Sequence, residues 1–471
     1  MTNAVVVGSG PNGLAAALTL AAEGVQVRVL EAADTVGGGT RTSELTVPGL
    51  LHDECSGFHP LAVDTPFSRR FDLSAHGLQW LWPQVQYAHP LDGGRGAAVW
   101  QSVEDTAAAL GADGRAWRSV FGYLSEHFDD IAEDFLRPML HVPAHPIKLA
   151  RFGLLSLPPV TMLARRWSTP EARGLFAGVA AHALRPFGSP VSSAIGVALG
   201  TAAHRYGWPV AQGGSVSIAT AVTSLLEEYG GTVETGVRVE SLAELDSPDI
   251  VMLDVAPGAA VRITGDAMPA RIARALTRYR HAPGTFKVEF AVHGGVPWAH
   301  EQSRLAGTVH VGGSLEEIAA AEADVNRGRM PERPFVLVGQ QFLADPSRAQ
   351  GDVVPVYAYA HVPAGYTGDA TAALEAQIER FAPGFGDRVV ARHVRSAVQM
   401  EQHNPNYVGG DVVNGANDAL QLVFRPRPAL DPYTVGVPGV YLCSAATPPG
   451  AGAHGMSGYN AALSALRRLE A

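Results

Sequence analysis

The first thirty residues constrain the fold most, because an apolar run leads directly into a glycine-rich turn. The segment "VVVGSGPNGLAAALTLAAEGVQVRVLE" covers residues 5–31. Its β-branched residues predict a strand that ends at Gly8, and alanine and leucine then recur with helical spacing up to Gly24. Another apolar run, Val25 to Leu30, predicts a second strand. The opening therefore predicts a strand, turn, helix and strand in a parallel sheet.

The spacing of the glycines indicates what the turn can bind. In Gly8-x-Gly10-x-x-Gly13, the first glycine permits a sharp turn, the second admits a pyrophosphate and the third lets the helix pack closely. The unpaired N–H groups of the first helical turn favour an anion. Glu31 follows near the roughly 20-residue spacing of a ribose-binding carboxylate, which repels a 2′-phosphate. We expect an adenine dinucleotide of the FAD or NAD kind rather than NADP; a turn that binds nothing is the structural alternative.

Composition limits the class of protein. A chain of 471 residues has room for two or three domains, and 46% apolar with 17% charged residues is typical of a globular protein. A net charge of −10 argues against a nucleic-acid partner. Cys55 and Cys443 form no CxxC pair, so we expect no metal site and no dithiol centre. Two thiols and a strand that begins almost at Met1, without a signal peptide, predict a cytoplasmic protein.

Later patterns divide the chain into unlike regions. From Phe67 to Ala211 the patterns are helical, which predicts a mostly helical insertion. The runs "TFKVEFAV", "PFVLVGQQF" and "VPVYAYAHV" predict an antiparallel sheet. "DIVMLDVAP" predicts a strand that ends at Asp254 and is an edge or final strand of the first sheet.

One stretch of the helical region, "FGLLSLPPVTMLARRW", is strongly apolar. It is short and interrupted by Pro158 and Pro159, so it cannot cross a bilayer as a single helix. It either packs inside the protein, lines an apolar pocket, or makes a peripheral contact with a membrane.

A second glycine cluster, Gly450-x-Gly452-x-x-Gly455, lies between the apolar run "GVYLCSA" and the final helical pattern. A second dinucleotide site would need a further strand with an acidic residue, which the sequence given does not contain. The start of a helix can instead stabilise an anion. We therefore expect this helix to face the negatively charged ring edge of a reduced flavin. An ordinary glycine-rich helix start is the alternative.

With both glycine clusters, the chain resembles the FAD-dependent phytoene desaturase-like group of the amine oxidase superfamily, closest to its branch of pyridine nucleotide-disulfide oxidoreductase domain-containing proteins. The resemblance is carried by "GGG" at residues 37–39, "YGWPVAQGG", "VETGVRVESL", "LDVAP", "TFKVEFAV", "AGTVHVGG", "IERFAPGF", "NPNYVGGD" and "GVYLCSAATPPGAGAHGMSGYNAA". It implies an α/β fold: a Rossmann-like FAD-binding domain of the glutathione reductase type (1–67, 212–265 and 435–471) with a discontinuous α+β substrate domain (68–211 and 266–434).

The resemblance also assigns residues to FAD. Glu31 would hold the ribose, and Val239 would meet the adenine through its backbone. Gly455 and Met456 would offer N–H groups to the flavin pyrimidine edge. The residues implied for the phosphates and the turns beside them are Gly8, Gly10, Pro11, Gly13, Gly38 and Arg41. Many amine oxidases have arginine where this sequence has Gly39, so Arg41 is expected to take over that role.

The implied activity is removal of hydride from a lipophilic or cyclic small molecule, with desaturation of a C–C bond. His454 is a candidate catalytic residue beside the flavin, or else a residue that stabilises its loop. His59, Trp208 and Tyr407 are candidates for the substrate pocket. The electron acceptor (oxygen, a quinone or a nicotinamide) and the oligomeric state stay open. Alternative activities are a redox-neutral, FAD-dependent isomerase or cyclase of polyenes and a non-catalytic interaction protein that contains FAD.

Overall fold

The computed structural model describes residues 2–469, which form two principal sheets and a layer of helices. The strands are β1 (Asn3–Val7), β2 (Gln26–Leu30), β3 (Thr42–Glu44), β4 (Leu51–Asp53), β5 (Trp80–Leu81), β6 (Val85–Pro90), β7 (Gly96–Val99), β8 (Val210–Ala211), β9 (Thr232–Glu234), β10 (Ile250–Leu253), β11 (Gly284–His293), β12 (Ala306–Val311), β13 (Val336–Gly339), β14 (Val353–Val362), β15 (Val389–Arg395) and β16 (Val440–Leu442). The helices are α1 (Pro11–Ala21), α2 (Pro66–Arg70), α3 (Val103–Ala109), α4 (Gly114–Glu126), α5 (Phe128–Phe135), α6 (Pro146–Ser156), α7 (Val160–Leu163), α8 (Pro170–Ala180), α9 (Ser193–Arg205), α10 (Val216–Glu228), α11 (Pro257–Thr264), α12 (Ala270–Thr277), α13 (Leu315–Asn326), α14 (Thr371–Phe381), α15 (Phe385–Arg388), α16 (Ala397–His403), α17 (Ala419–Phe424) and α18 (Met456–Leu469).

The first sheet is parallel and has the strand order β16-β10-β1-β2-β9. Its strands come from both ends of the chain and from its middle, and helix α1 connects β1 to β2. This is the predicted α/β, Rossmann-like arrangement. The prediction of an edge or final strand ending at Asp254 was wrong, because β16 pairs with the outer side of β10. The domain boundaries given above stay predictions.

The second sheet is mostly antiparallel, with the order β15-β11-β14-β13-β12-β6-β7 and one parallel pair, β6 and β12. Alternation along β11 and β14 gives its two faces different characters. Lys287 lies opposite Tyr359 and Glu289 opposite Tyr357 on one face, where the helical layer α3–α9 also packs. The other face is apolar, with Val288 beside Ala358, and packs on α14–α16. The sheet therefore has a buried polar face on one side and an apolar core on the other.

The polar face is tied to the segment that follows β4. Lys287 and Glu289 form a buried ion pair, and Lys287 Nζ also donates to the Asp53 carbonyl at 3.1 Å. Asp53 pairs with the buried Arg348. Burial alone raises the pKa of Asp53, but the Arg348 guanidinium and the Ser215 N–H hold it below its ordinary value. The carboxylate is thus held as an anion inside the protein.

Helix α18 crosses the first turn of α1 at very short range. A Cβ atom on Gly458 would lie 1.7 Å from the Asn12 carbonyl oxygen, and one on Gly455 would lie 2.8 Å from the Ala15 Cβ. Only glycine leaves room for this approach. The crossing brings the start of the last helix beside the start of the first.

Among residues 2–469, no single helix has the length and hydropathy to cross a bilayer. Residues 146–156 and 160–166 reach that length and hydropathy only as a pair, and the pair is bent by 93°.

Replacing Gly458 with alanine should destabilise the protein, because the new methyl group meets the backbone of α1. We expect Gly458→Ala to lower the free energy of unfolding by at least ~1–3 kcal/mol, the usual cost of overpacking. Gly153→Ala is the control: Gly153 lies within α6, and nothing is within 4 Å of the added Cβ. It should raise stability by roughly 0.5–1 kcal/mol. Denaturant unfolding of both variants measures this, and equal stabilities would contradict the crossing.

Candidate functional site

A single cavity of about 720 Å³ lies at the carboxyl ends of the parallel strands. The turn after β1 lines one part of it, and residues 451–453, just before α18, line another. Ligands of open α/β sheets bind at this edge. The close crossing of α1 and α18 thus delivers both glycine clusters to one site. The other lining segments are the end of β2, residues 38–41, 55–56, 237–240, 254–255 and 402–407, with parts of α11 and of residues 412–414 and 445.

The turn after β1 is a cradle without side chains. Gly8 has a φ of +101°, which other residues rarely adopt, and a Cβ there would lie 2.8 Å from the Asp254 carbonyl oxygen. A Cβ on Gly13 would lie 2.1 Å from the Gly8 carbonyl oxygen, so this glycine permits the helix to start directly against the turn. A Cβ on Gly38 would lie 2.9 Å from the Cα of Gly10. Close approach of backbone at these glycines therefore shapes this part of the cavity.

Glu31 stands at the cavity wall and also holds the turn together. Its Oε2 accepts hydrogen bonds from the Ser9 N–H at 2.8 Å and the Ser9 hydroxyl at 2.6 Å. Its Oε1 accepts from the Ala33 N–H at 2.8 Å and from Arg41 Nη2 at 3.3 Å. The carboxylate is 8% exposed. Charge-assisted bonds of this kind fix its position for a ligand hydroxyl.

Arg41 lines the cavity and anchors the second turn. Its Nη2 donates to the Thr35 carbonyl at 2.8 Å as well as to Glu31. Gly39 packs under the Tyr407 hydroxyl, where a Cβ would lie 2.6 Å from the oxygen. Arginine at position 39 would displace that tyrosine, so the guanidinium at this turn comes from Arg41 instead.

Several side chains that line the cavity are uncharged, and two of them have an unpaired polar atom. Burial raises the pKa of the Cys55 thiol and raises that of Tyr407 well above its usual value. Both side chains are therefore uncharged at neutral pH. Asn12 and Asn414 line the cavity too, and the Oδ1 atom of each is buried without a hydrogen-bond partner. Unpaired acceptors in a cavity suit a ligand with donor groups.

The residues predicted for the cofactor divide into a lining set and a supporting set. Those that line the cavity are Gly8, Gly10, Pro11, Glu31, Gly38, Arg41 and Val239. Gly13 lies in the first turn of α1, Gly455 directly precedes α18 and Met456 begins it; none of the three lines the cavity. Of the three predicted pocket residues, Tyr407 lines the cavity, whereas His59 and Trp208 do not.

His454, His59 and Trp208 are held by contacts within the protein. The Nδ1 of His454 accepts from the Met456 N–H at 3.1 Å, and burial lowers the pKa of its imidazole to about 4. His59 Nε2 lies 2.9 Å from the Ser215 hydroxyl, and burial lowers its pKa to about 4 as well. Trp208 packs against Tyr87 and His310. The neutral His454 thus caps α18; the predicted roles of the three residues stay predictions.

Sequence reasoning missed two features of the site. Asp254 lines the cavity directly beneath the glycine turn, although only its strand was predicted. The polar face formed by Lys287, Glu289 and Tyr357 was also missed. Strict alternation in "TFKVEFAV" and "VPVYAYAHV", with polar residues at every second position, is the signal that could have revealed it. Within the described part of the chain, no group of three His, Cys, Asp or Glu side chains is arranged to hold a metal.

Comparison with known families identifies the nucleotide-binding part. Residues 6–81 match the family described as NAD(P)-binding Rossmann-like domain. The mouse pyridine nucleotide-disulfide oxidoreductase domain-containing protein 2 is 38% identical over 94 residues, which are 20% of this chain and 16% of that protein. Its rat counterpart is 37% identical over the same length. The match thus covers about 16% of the curated relatives.

Several solved structures resemble the whole chain. An oxidoreductase from Methanosarcina mazei has a TM-score of 0.62 at 15% identity, over 100% of both chains. Putrescine oxidase bound to putrescine has a TM-score of 0.60 at 17% identity, over 100% of this chain and 99% of that one. Cyclohexylamine oxidase from Brevibacterium oxydans has a TM-score of 0.58 at 18% identity, over 100% of both chains. These structures confirm the predicted α/β fold. The family match over residues 6–81 indicates a dinucleotide cofactor, as predicted.

Removing the Glu31 carboxylate should loosen the cradle. In Glu31→Ala, the Ser9 and Ala33 N–H groups and Arg41 lose a buried acceptor, so we expect a loss of about 1–3 kcal/mol in the free energy of unfolding. Glu240, also at the cavity but exposed, is the matched control, and Glu240→Ala should change stability by less than about 0.5 kcal/mol. Denaturant unfolding of both variants checks this; similar losses would refute the anchoring role.

Proposed function

We propose that the protein is an FAD-dependent oxidoreductase of the phytoene desaturase-like kind. The supporting observation is the single cavity that joins the glycine turn before α1 to the loop before α18. Its volume, about 720 Å³, lies in the range of cofactor sites. One glycine cluster alone would suit any dinucleotide. Two at one cavity suit a ligand with a pyrophosphate at one end and an electron-accepting ring at the other.

Different residues of the chain would bind different parts of the cofactor along this cavity. The cradle at Gly8 and Gly10 admits the pyrophosphate, and Glu31 takes a ribose hydroxyl. The side chains of Cys55 and Tyr407, which are uncharged at neutral pH, also line this cavity. Bound FAD would accept a hydride from a substrate carbon. The protein would orient the substrate and exclude water.

The substrate class follows from the same cavity and from the resemblance. We propose C–C dehydrogenation of a lipophilic or cyclic small molecule, which is the activity that the resemblance implies. The uncharged Cys55 and Tyr407 in the cavity wall are compatible with an apolar substrate. The structural neighbours that oxidise putrescine and cyclohexylamine supply a related option, oxidation of a C–N bond. In either case the electrons leave the substrate as hydride, and a catalytic base is optional.

The purified protein should bind FAD and be reduced by its substrate. We expect a flavin absorption spectrum after reconstitution with FAD, and none after reconstitution of Gly10→Val, whose side chain fills the cradle. Anaerobic addition of isoprenoids, cyclic ketones or amines should bleach that spectrum for one class. A wild-type protein that stays colourless with FAD would end the proposal. Turnover without a change in product mass, after prior flavin reduction, would select the isomerase alternative.

We also propose that helix α6 and the segment before it make the peripheral contact with a membrane. Ile147 and Leu154 lie two turns apart on α6 and Leu157 directly follows the helix; they are 73%, 71% and 59% exposed. Met139, Leu140, Val142 and Met162 add further exposed apolar side chains. The exposed cations Arg165 and Arg166 follow α7 in the same apolar stretch of sequence, on a chain with a net charge of −10. An apolar surface with local positive charge suits an anionic lipid surface.

Flotation with lipid vesicles tests this contact. The protein should float with vesicles that contain phosphatidylserine and much less with phosphatidylcholine alone. Ile147→Glu with Leu154→Glu should abolish flotation, because both are exposed apolar side chains of α6. Leu430→Glu, at a residue that is 88% exposed elsewhere, should leave it unchanged. Equal flotation of the three proteins would contradict a contact through α6.

A further inference from the structure

Asp254 occupies a position that conflicts with the ligand the cradle is built for. It follows β10, and its N–H donates to the Val7 carbonyl at 2.8 Å, which seats it beside the end of β1. Its Oδ2 accepts from the Gly13 N–H in the first turn of α1 at 2.9 Å. A Cβ on Gly10 would lie 2.6 Å from the same oxygen. The carboxyl group thus lies directly under the turn that admits the pyrophosphate.

This arrangement places two acids at the site of a doubly charged anion. Asp254 and Glu31 line the same cavity, and Asp254 is 8% exposed. Glu31 forms an ion pair with Arg41. Among residues 2–469, no cationic side chain forms an ion pair with Asp254. A buried, unpaired carboxylate beside a pyrophosphate is strongly unfavourable. The conflict disappears if the carboxyl group is neutral.

We propose that Asp254 is protonated when the dinucleotide is bound, so that binding takes up one proton and weakens as the pH rises above neutrality. The inference rests on the proposed function, because it assumes that the cradle holds a pyrophosphate. In this role Asp254 contributes the hydrogen of a neutral carboxyl group to the binding site, and not a negative charge. Gly13 keeps its acceptor in both states, because a protonated carboxyl group retains a free oxygen.

The surroundings of Asp254 support a neutral carboxyl group. Burial, together with the nearby Glu31, raises its pKa to about 7, against the opposing effect of the Gly13 N–H. Helix α1 contributes no titratable group. Arg41 comes from the turn after β2 and is engaged by Glu31, Arg262 comes from α11 at the cavity wall, and Cys443 follows β16. A bound pyrophosphate adds negative charge and raises this pKa further.

The direction of the pH dependence follows. The bound state has the higher pKa, so affinity is full below the pKa of the free protein, about 7, where Asp254 already carries its proton. Above that value each unit of pH should weaken binding by about tenfold, since one proton must be taken up. The affinity stops falling at the pH where Asp254 loses its proton in the bound state as well.

Titration of the apoprotein with FAD between pH 6 and 9, followed by flavin fluorescence, tests the proposal. The wild-type Kd should rise about tenfold per pH unit above neutrality. Asp254→Asn keeps an acceptor for Gly13 but cannot ionise, so its Kd should be independent of pH and tighter than wild type at pH 8.5 by at least about tenfold. His403→Gln removes the histidine that lines the same cavity and should keep the wild-type slope. Calorimetry of the wild type at pH 8.5, in buffers of different ionisation enthalpy, should show uptake of about one proton.

The outcomes separate this inference from the function beneath it. A wild-type Kd that does not change with pH, absence of proton uptake, or an Asp254→Asn variant that keeps the slope overturns the role of Asp254 while FAD binding stands. Failure of every protein to bind FAD at any pH overturns the proposed function, and this inference with it.

Discussion

The close crossing of α1 and α18 is the constraint on which the site depends. The two helices approach until a Cβ on Gly458 would overlap the Asn12 carbonyl oxygen. Such an approach is possible only where both helices present backbone, at their first turns. Because each helix is entered from a glycine-rich loop, the crossing sets two loops, from opposite ends of the chain, around one cavity. A pair of helices with larger residues at the crossing would stand farther apart and leave the two loops at separate surfaces.

A buried polar junction couples this cavity to the second sheet. Asp53, at the end of β4, accepts from the Ser215 N–H at 2.7 Å and pairs with Arg348, which also donates to the Ala211 carbonyl at 2.7 Å. Lys287 Nζ, from β11, donates to the carbonyl oxygen of Asp53. Breaking a buried ion pair by removing one partner costs about 3–5 kcal/mol, so the junction is rigid. The segment after it, which carries Cys55 into the cavity wall, is thus anchored to the second sheet by Lys287 and to the start of α10 by Ser215.

Local patterns predicted the elements well, whereas contacts between distant segments were beyond them. The glycine spacing and Glu31 were sufficient for the nucleotide-binding unit because strand, turn and helix lie within thirty consecutive residues. The place of β10 inside its sheet depends on β16, nearly two hundred residues later, and no local signal encodes that pairing. His59 and Trp208 were assigned to a pocket from their residue type and from their place in the sequence beside the predicted cofactor contacts. Their neighbours Ser215, Tyr87 and His310 come from distant segments. Asp254 was missed for the same reason. Its role at the site depends on its proximity to Gly10 and Gly13, which are distant in sequence and are brought beside it only by the fold.

A crystal structure of the protein with bound FAD tests the central claim most directly. The account predicts one FAD molecule along the cavity, with its pyrophosphate against Gly10 and Asp254 and its ring beside Tyr407 and the loop that precedes α18. An FAD molecule that reaches only one of the two glycine loops, or that binds outside this cavity, would contradict the claim that both helix starts serve the same cofactor.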